Sequence, residues 1–221
     1  MLIGSKLAGS LSGLLLLAIL TSLEIDAQSL PKGMGISEMK VSQLAGEVGP
    51  SGWPRFSFGE PALFTAVFPK PPQQQTNQFS GNDGSLSSWM FFAESETAFY
   101  QIVWQVSQEG PEVKSEKERR REYSNFAAGF FDGLVKAGVV KRGRVVANRT
   151  VSLNGMEGFE REFAFRDHEA RLQMFHVGRS SLILASIWTS ANPLAERGSF
   201  FSSVMLELGT APSGNTTLKS P

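Results

Sequence analysis

Between residues 53 and 190 apolar and polar positions mostly alternate with a period of two, the mark of half-buried strands. The stretch from Phe159 to Trp188 shows it best. It predicts three consecutive antiparallel strands. The first, Phe159 to Arg166, places Phe159, Phe163 and Phe165 on one face. A turn at Asp167-His168 leads to Ala170–Val177, with Leu172, Met174 and His176 on one face and Phe175 and Val177 on the other. Gly178-Arg179 reverses the chain again. The third strand, Leu182 to Trp188, is apolar on both faces, so it requires cover above and below.

The same pattern predicts strands at Phe56–Phe58, Leu63–Phe68, Asn77–Ser80, Ser87–Phe92, Ala98–Val106 and Arg144–Leu153. Pro71, Pro72 and three glutamines read as a stiff polar connection, and Asn82-Asp83-Gly84 and Asn154-Gly155 as turns. The period changes to 3.6 in two places. Ser115-x-x-Glu118 is a capping box opening a helix to about Ala137, with Tyr123, Ala127, Phe130 and Leu134, and Phe126 and Phe131 beside them, as its apolar stripe. A second helix is predicted from Pro193 to Val204, with Asn192 as its N-cap. The expected architecture is α+β: an antiparallel sheet of about six to eight strands covered by helices on both faces, an α/β/α sandwich.

Outside this region the pattern weakens. Residues 28–52 are rich in Gly and Ser and read as a linker or loosely docked arm, with one short helix over 36–44. The folded domain spans 53–207, and 208–221 reads as a disordered tail. At the N-terminus Lys6 precedes the apolar run Leu14–Leu20, which is too short to span a bilayer comfortably. Residues 1–27 therefore read as a secretory signal cut between Ala27 and Gln28, with an uncleaved anchor as the alternative and a cytoplasmic chain as the third reading. Export places the domain in the periplasm or outside the cell. Contact with a membrane is expected only through an uncleaved N-terminus.

The 221 residues carry 21 basic and 21 acidic side chains. Removing 1–27 takes away Lys6, Glu24 and Asp26 and leaves a net charge of +1. Such a balance offers no long-range field for nucleic acid, and no nucleic-acid partner is expected. There is no cysteine, which excludes disulfides, thiolate metal sites, a cysteine nucleophile and a lipid on an N-terminal cysteine.

Candidate chemistry is sparse. The two histidines, His168 in a turn and His176 near the core edge, do not make a zinc site, and no metal or other cofactor is expected. No G-x-S-x-G elbow or phosphate-cradling loop occurs. Glu160 and Glu162 share a strand face and read either as paired carboxylates or, with Arg166, as a surface charge row. Arg161 alternates with Phe159, Phe163 and Phe165, so it either snorkels or marks a buried ion pair or anion pocket. Arg161, Glu162 and His176 are the candidates for a functional surface. The basic runs Lys114–Arg121 and Lys141–Arg149 lack the interleaved aromatics of single-strand binders, and the first reads as a solvated helix face.

Four segments carry a family resemblance. Phe64-Thr65-Ala66-Val67-Phe68-Pro69-x-Pro71 resembles the F-S-V-x-F-P-x-x-P opening of exported bacterial domains of the PsbP-like superfamily. Val151-x-Leu153-x-Gly155-x-x-Gly158 is similar to the strand and turn before their meander, Gly178-Arg179 to a later turn, and Phe200-Phe201-x-Ser203 to the closing helix. The resemblance covers residues 53–207 and implies an α/β/α sandwich whose relatives mostly bind or assemble with other proteins. The leading expectation is therefore a non-catalytic domain, not an enzyme, that binds a protein partner or stabilises an assembly in the cell envelope. A small-ligand or lipid-binding module with a pocket lined by Trp104, Phe130 or Trp188 is the alternative. A metal-free acid–base enzyme using His176, Glu162 and Arg161 is the third.

Overall fold

The computed structural model describes residues 38–207, except 82–83, 108–114, 142, 190 and 193. The signal and its Ala27–Gln28 cleavage point, residues 28–37 of the arm and the 208–221 tail lie outside the described residues.

Eleven strands and two helices are described. Strands β1 (Val41–Val48), β2 (Pro54–Phe58), β3 (Phe64–Val67) and the two-residue β11 (Met205–Leu206) form one antiparallel sheet in the order β1-β2-β3-β11. The second sheet has seven strands: β4 (Gln73–Gly81), β5 (Gly84–Glu94), β6 (Ala98–Ser107), β7 (Gly143–Leu153), β8 (Met156–Phe165), β9 (His168–Val177) and β10 (Ser180–Thr189). Their order is β4-β5-β6-β10-β9-β8-β7. Two meanders build it. The first runs from the β4 edge to the middle. Helix α1 (Glu116–Lys136) then carries the chain to the far edge, and the second meander returns to lay β10 beside β6. Helix α2 (Leu194–Ser203) follows β10.

The expected α/β/α sandwich is not formed. One face of the seven-stranded sheet is covered by helix α1 alone. The other is covered by the four-stranded sheet together with α2. Phe56, Phe58, Phe64, Ala66 and Phe68 supply that second layer with a run of ring contacts: Phe58 stacks on Phe64 at 4.6 Å, and Phe64 on Trp104 of β6 at 5.8 Å. The fold is mostly β, in three layers of sheet, sheet and helix. Of the helix predicted over 36–44, residues 36–37 lie outside the described residues, 38–40 are not helical and 41–44 belong to β1. Its polar, half-exposed sequence pairs antiparallel with β2 through a register shift between Gln43 and Val48, where Gly46 takes a φ of 76°. The glutamines after Pro72 belong to β4.

Strand β10 separates two cores. Leu182, Leu184 and Trp188 enter the core shared with the small sheet and α2, whereas Ile183, Ala185 and Ile187 enter the core under α1. All seven residues from Leu182 to Trp188 are buried, and Ser186 among them bonds its hydroxyl to the Phe99 carbonyl at 2.9 Å. At about 1.5–3 kcal/mol for each fully buried large aliphatic side chain, Leu182, Ile183, Leu184 and Ile187 together contribute roughly 6–12 kcal/mol.

Helix α1 keeps its predicted start. Ser115 accepts from the Glu118 amide at 3.3 Å, and the Glu118 carboxylate accepts from the Ser115 amide at 2.8 Å.

One glycine is fixed by contact. Gly158 lies opposite Phe175, and a Cβ placed there would run into the Phe175 ring and sit 2.7 Å from the Met174 carbonyl oxygen. Gly158→Ala is therefore expected to destabilise by about 2 kcal/mol, or roughly 4–8 °C in Tm, by overpacking. Thermal unfolding of that variant with an unchanged midpoint would show that the ring does not rest on the glycine.

Candidate functional site

The polar side chains of the far meander gather on the face that carries the small sheet, at the end that sheet leaves bare. Hairpin geometry places them. Asn154 and Gly155 both take positive φ (50° and 79°), the two-residue turn that suits strand twist. That turn sets Arg149 opposite Glu160. The next turn occupies Arg166-Asp167, one residue earlier than the sequence predicts, and sets Glu162 opposite Arg171.

A charge network results. Glu160 is 2% exposed and lies with its two oxygens toward different cations. Arg149 Nη2 sits 2.5 Å from Oε1, an ion pair without hydrogen-bond alignment, and Arg171 Nε sits 3.7 Å from Oε2. The Gln173 amide donates to Oε2 at 2.5 Å. Glu162 accepts from Arg149 at 3.0 Å and pairs with Arg171 Nη2 at 2.7 Å. Glu160 and Glu162 thus form a row, but Glu160 is buried and its cations are Arg149 and Arg171. Arg166, expected as the partner, lies exposed beyond the end of β8.

Aromatic rings extend this network toward α2. The Arg171 guanidinium lies 5.2 Å from the Phe201 ring centre and 5.9 Å from that of Trp188, and the Arg197 guanidinium stands 5.7 Å from the Trp188 ring. Glu169 links the pair. It accepts from Trp188 Nε1 at 3.0 Å and from Arg197 Nη1 at 3.2 Å. Arg197 Nε also donates to the Asn192 carbonyl at 3.1 Å, which ties the start of α2 to the site. Asn192 was expected to cap α2 with its side-chain oxygen. Instead its amide nitrogen donates, to Thr97 at 2.9 Å, Glu196 at 3.1 Å and Tyr100 at 3.4 Å. Burial pushes the Tyr100 phenol up to about 12, so it stays protonated at neutral pH.

Between these groups opens a cleft of about 520 Å³, lined by Val146, Glu162, Arg171, Trp188 and Arg197. The cleft combines flat rings, forked donors and carboxylates already matched in charge.

The three singled-out residues do not meet. Glu162 faces this cleft. Arg161 and His176 point to the α1 side, Arg161 opposite Leu172 and His176 on the face of Leu172 and Met174. Arg161 lies over the Tyr123 ring at 5.4 Å, its Nε buried without a partner. The Tyr123 phenol is pushed well up by burial and partly drawn back by that guanidinium. His176 Nδ1 lies 3.2 Å from Ser181 Oγ, and its Nε2 4.0 Å from a Glu122 oxygen. An acid–base site built on Arg161, Glu162 and His176 is therefore not assembled. His168 opens β9 rather than lying in the turn, and burial lowers its pKa against the opposing pull of Asp167. The pocket expected between sheet and helix is not formed either, because Trp104 and Phe130 fill opposite cores; only Trp188 borders the cleft. Among the described residues no group of three or more potential metal ligands occurs, and no helix is long and apolar enough to cross a membrane.

Comparison with known proteins gives limited likenesses. No protein-family model matches the chain, and no curated protein matches it. Among solved structures, the chain is similar to one from Bacteroides thetaiotaomicron VPI-5482 (10% identity, TM-score 0.36, 65% of this chain and 45% of that one). It is similar to cyanobacterial PsbP from Synechocystis sp. PCC 6803 (10% identity, TM-score 0.43, 81% and 98%). It is also similar to PA94 of Pseudomonas aeruginosa, a protein of unknown function (13% identity, TM-score 0.28, 70% and 85%). The chain thus spans less than half of the Bacteroides protein. None of the three likenesses reaches a TM-score of 0.5, so none carries weight for fold or function.

The network makes a graded prediction. Glu160→Gln removes the buried charge that faces two guanidiniums and turns an amide N–H toward one of them, and is expected to destabilise by about 3 kcal/mol, whereas the half-buried Glu162→Gln should lose about 1 kcal/mol. Urea unfolding of both variants measures the order; an equal or reversed ranking would mean that Glu160 is not the hub.

Proposed function

We propose that this chain is an exported, non-catalytic domain that docks a protein partner of the cell envelope on the open cleft beside Trp188. The observation that carries this reading is the pair Arg171 and Arg197, held against the buried Trp188 ring along one wall of that cleft, with Phe201 behind Arg171. Trp and Arg are the side chains that most often dominate binding energy at protein interfaces. Here both arginines are held against rings and matched by Glu162 and Glu169, so little side-chain freedom is left to lose when a partner covers them. The resemblance of residues 53–207 to PsbP-like domains agrees with this reading, and the Lys6–Leu20 leader supplies the route to the envelope.

The test is capture from envelope extracts with the chain lacking residues 1–27. The intact chain should retain one specific partner, and Arg197→Ala should reduce that capture at least about tenfold while the variant stays folded. A partner held equally well by both chains, or none held at all, would refute docking at this cleft.

A further inference from the structure

The two edges of the seven-stranded sheet are finished differently. At the β4 edge the Gln74 side-chain amide faces the Met39 backbone; with its oxygen and nitrogen exchanged, the orientation its neighbours require, it donates to the Met39 carbonyl at 2.8 Å and accepts from the Met39 N–H at 2.7 Å, which ties the segment before β1 to that strand. The β7 edge has no such cover among the described residues. Strand β7 is eleven residues long, pairs only with β8, and is exposed at most of its positions. Val145 and Val146 stand 50% and 49% exposed at its register shift. Of its residues only Val151 and Leu153 reach a core. This strand is also the second basic run of the sequence: from Lys141 to Leu153 there is no acidic residue, and Lys141, Arg144 and Arg149 are exposed.

Basic residues and a bulge on an edge also guard against pairing with like edges. That guard is selective. Arg149 is already paired with Glu160 and Glu162, so the charge that selects lies at the start of the strand: two copies meeting there would bring Lys141 and Arg144 against like charges, whereas a strand bearing carboxylates would be drawn in. We propose that β7 accepts an extended acidic segment of the protein partner as an eighth strand, an inference that rests on the partner-binding reading above. Main-chain hydrogen bonds to the open edge would supply most of the attachment. Alternate side chains would supply the choice of partner. On the cleft side the position beside Arg144 calls for Asp or Glu, while Arg149 is already matched by Glu160 and Glu162. Those on the α1 side lie beside Val145, Asn148 and Thr150 and suit Val, Ile or Thr.

The test uses the exported chain and three synthetic eleven-residue probes: alternating Glu and Val, alternating Lys and Val, and the Glu–Val peptide N-methylated along one edge. Binding is read by fluorescence anisotropy and by amide hydrogen exchange. The Glu–Val probe should bind and slow exchange along β7 at least about fivefold, and the other two should not. Arg144→Glu should weaken that binding at least about tenfold, while Arg197→Ala leaves it unchanged. Protection elsewhere than β7, equal binding of the Lys–Val probe, or no binding of the Glu–Val probe overturns the inference. Cleft-dependent partner capture with no peptide effect at β7 removes only the added strand. Peptide binding at β7 with capture indifferent to Arg197 removes only the cleft.

Discussion

Burial of β10 on both faces is the constraint from which the rest of the structure follows. A strand with Leu182, Leu184 and Trp188 on one side and Ile183, Ala185 and Ile187 on the other cannot sit at an edge or under a single layer. It must be central, and it is: β6 lies on one side and β9 on the other, so both meanders end at the middle of the sheet. Helix α1 covers one face as it carries the chain outward to β7. The other face needs a separate layer, which residues 41–67, α2 and β11 provide.

That second layer does not extend over the whole sheet, and side-chain chemistry marks where it ends. Toward β4, β5 and β6 the sheet presents Phe91, Ala93, Tyr100, Ile102 and Trp104, which the aromatic small sheet covers. Toward β7, β8 and β9 the same face keeps Leu153 and Phe175 in that core at one end of the strands and presents Arg149, Glu160, Glu162, Arg171 and Gln173 beyond them. Covering these with apolar groups would strand buried charge, so they pair among themselves and a cleft remains between them and α2. The cleft is thus a consequence of where the apolar face runs out. Trp188 stands at the boundary, with one side in the core and its ring flanked by Arg171 and Arg197.

Much of the large sheet was legible because its strands keep strict alternation and its turns carry their own chemistry. Asn154-Gly155, Gly178-Arg179 and the Ser115–Glu118 box each fix a local conformation with few competing solutions. The second sheet was not legible. Strand β1 is polar and mostly exposed, so its sequence shows no face, and β11 is two residues long. Both exist through pairing with β2 and β3, a long-range outcome that no local window contains. The site was half visible. Glu160 and Glu162 stood out as a row, but their partners depend on register. Shifting one turn from Asp167-His168 to Arg166-Asp167 moves the residue opposite Glu162 from Gln173 to Arg171. Arg197 and Phe201 come from α2, and no spacing along the chain links them to β9.

The central claim is that residues 182–188 lie between two covering layers and unfold only with the whole domain. Native-state amide hydrogen exchange, resolved residue by residue, tests it most directly. The account predicts that the amides of Leu182 to Trp188 exchange slowest, at the free energy of global unfolding, well after those of the edge strands β1 and β7. If the 182–188 amides exchange as readily as those of either edge strand, the double cover is wrong, and with it the origin of the cleft.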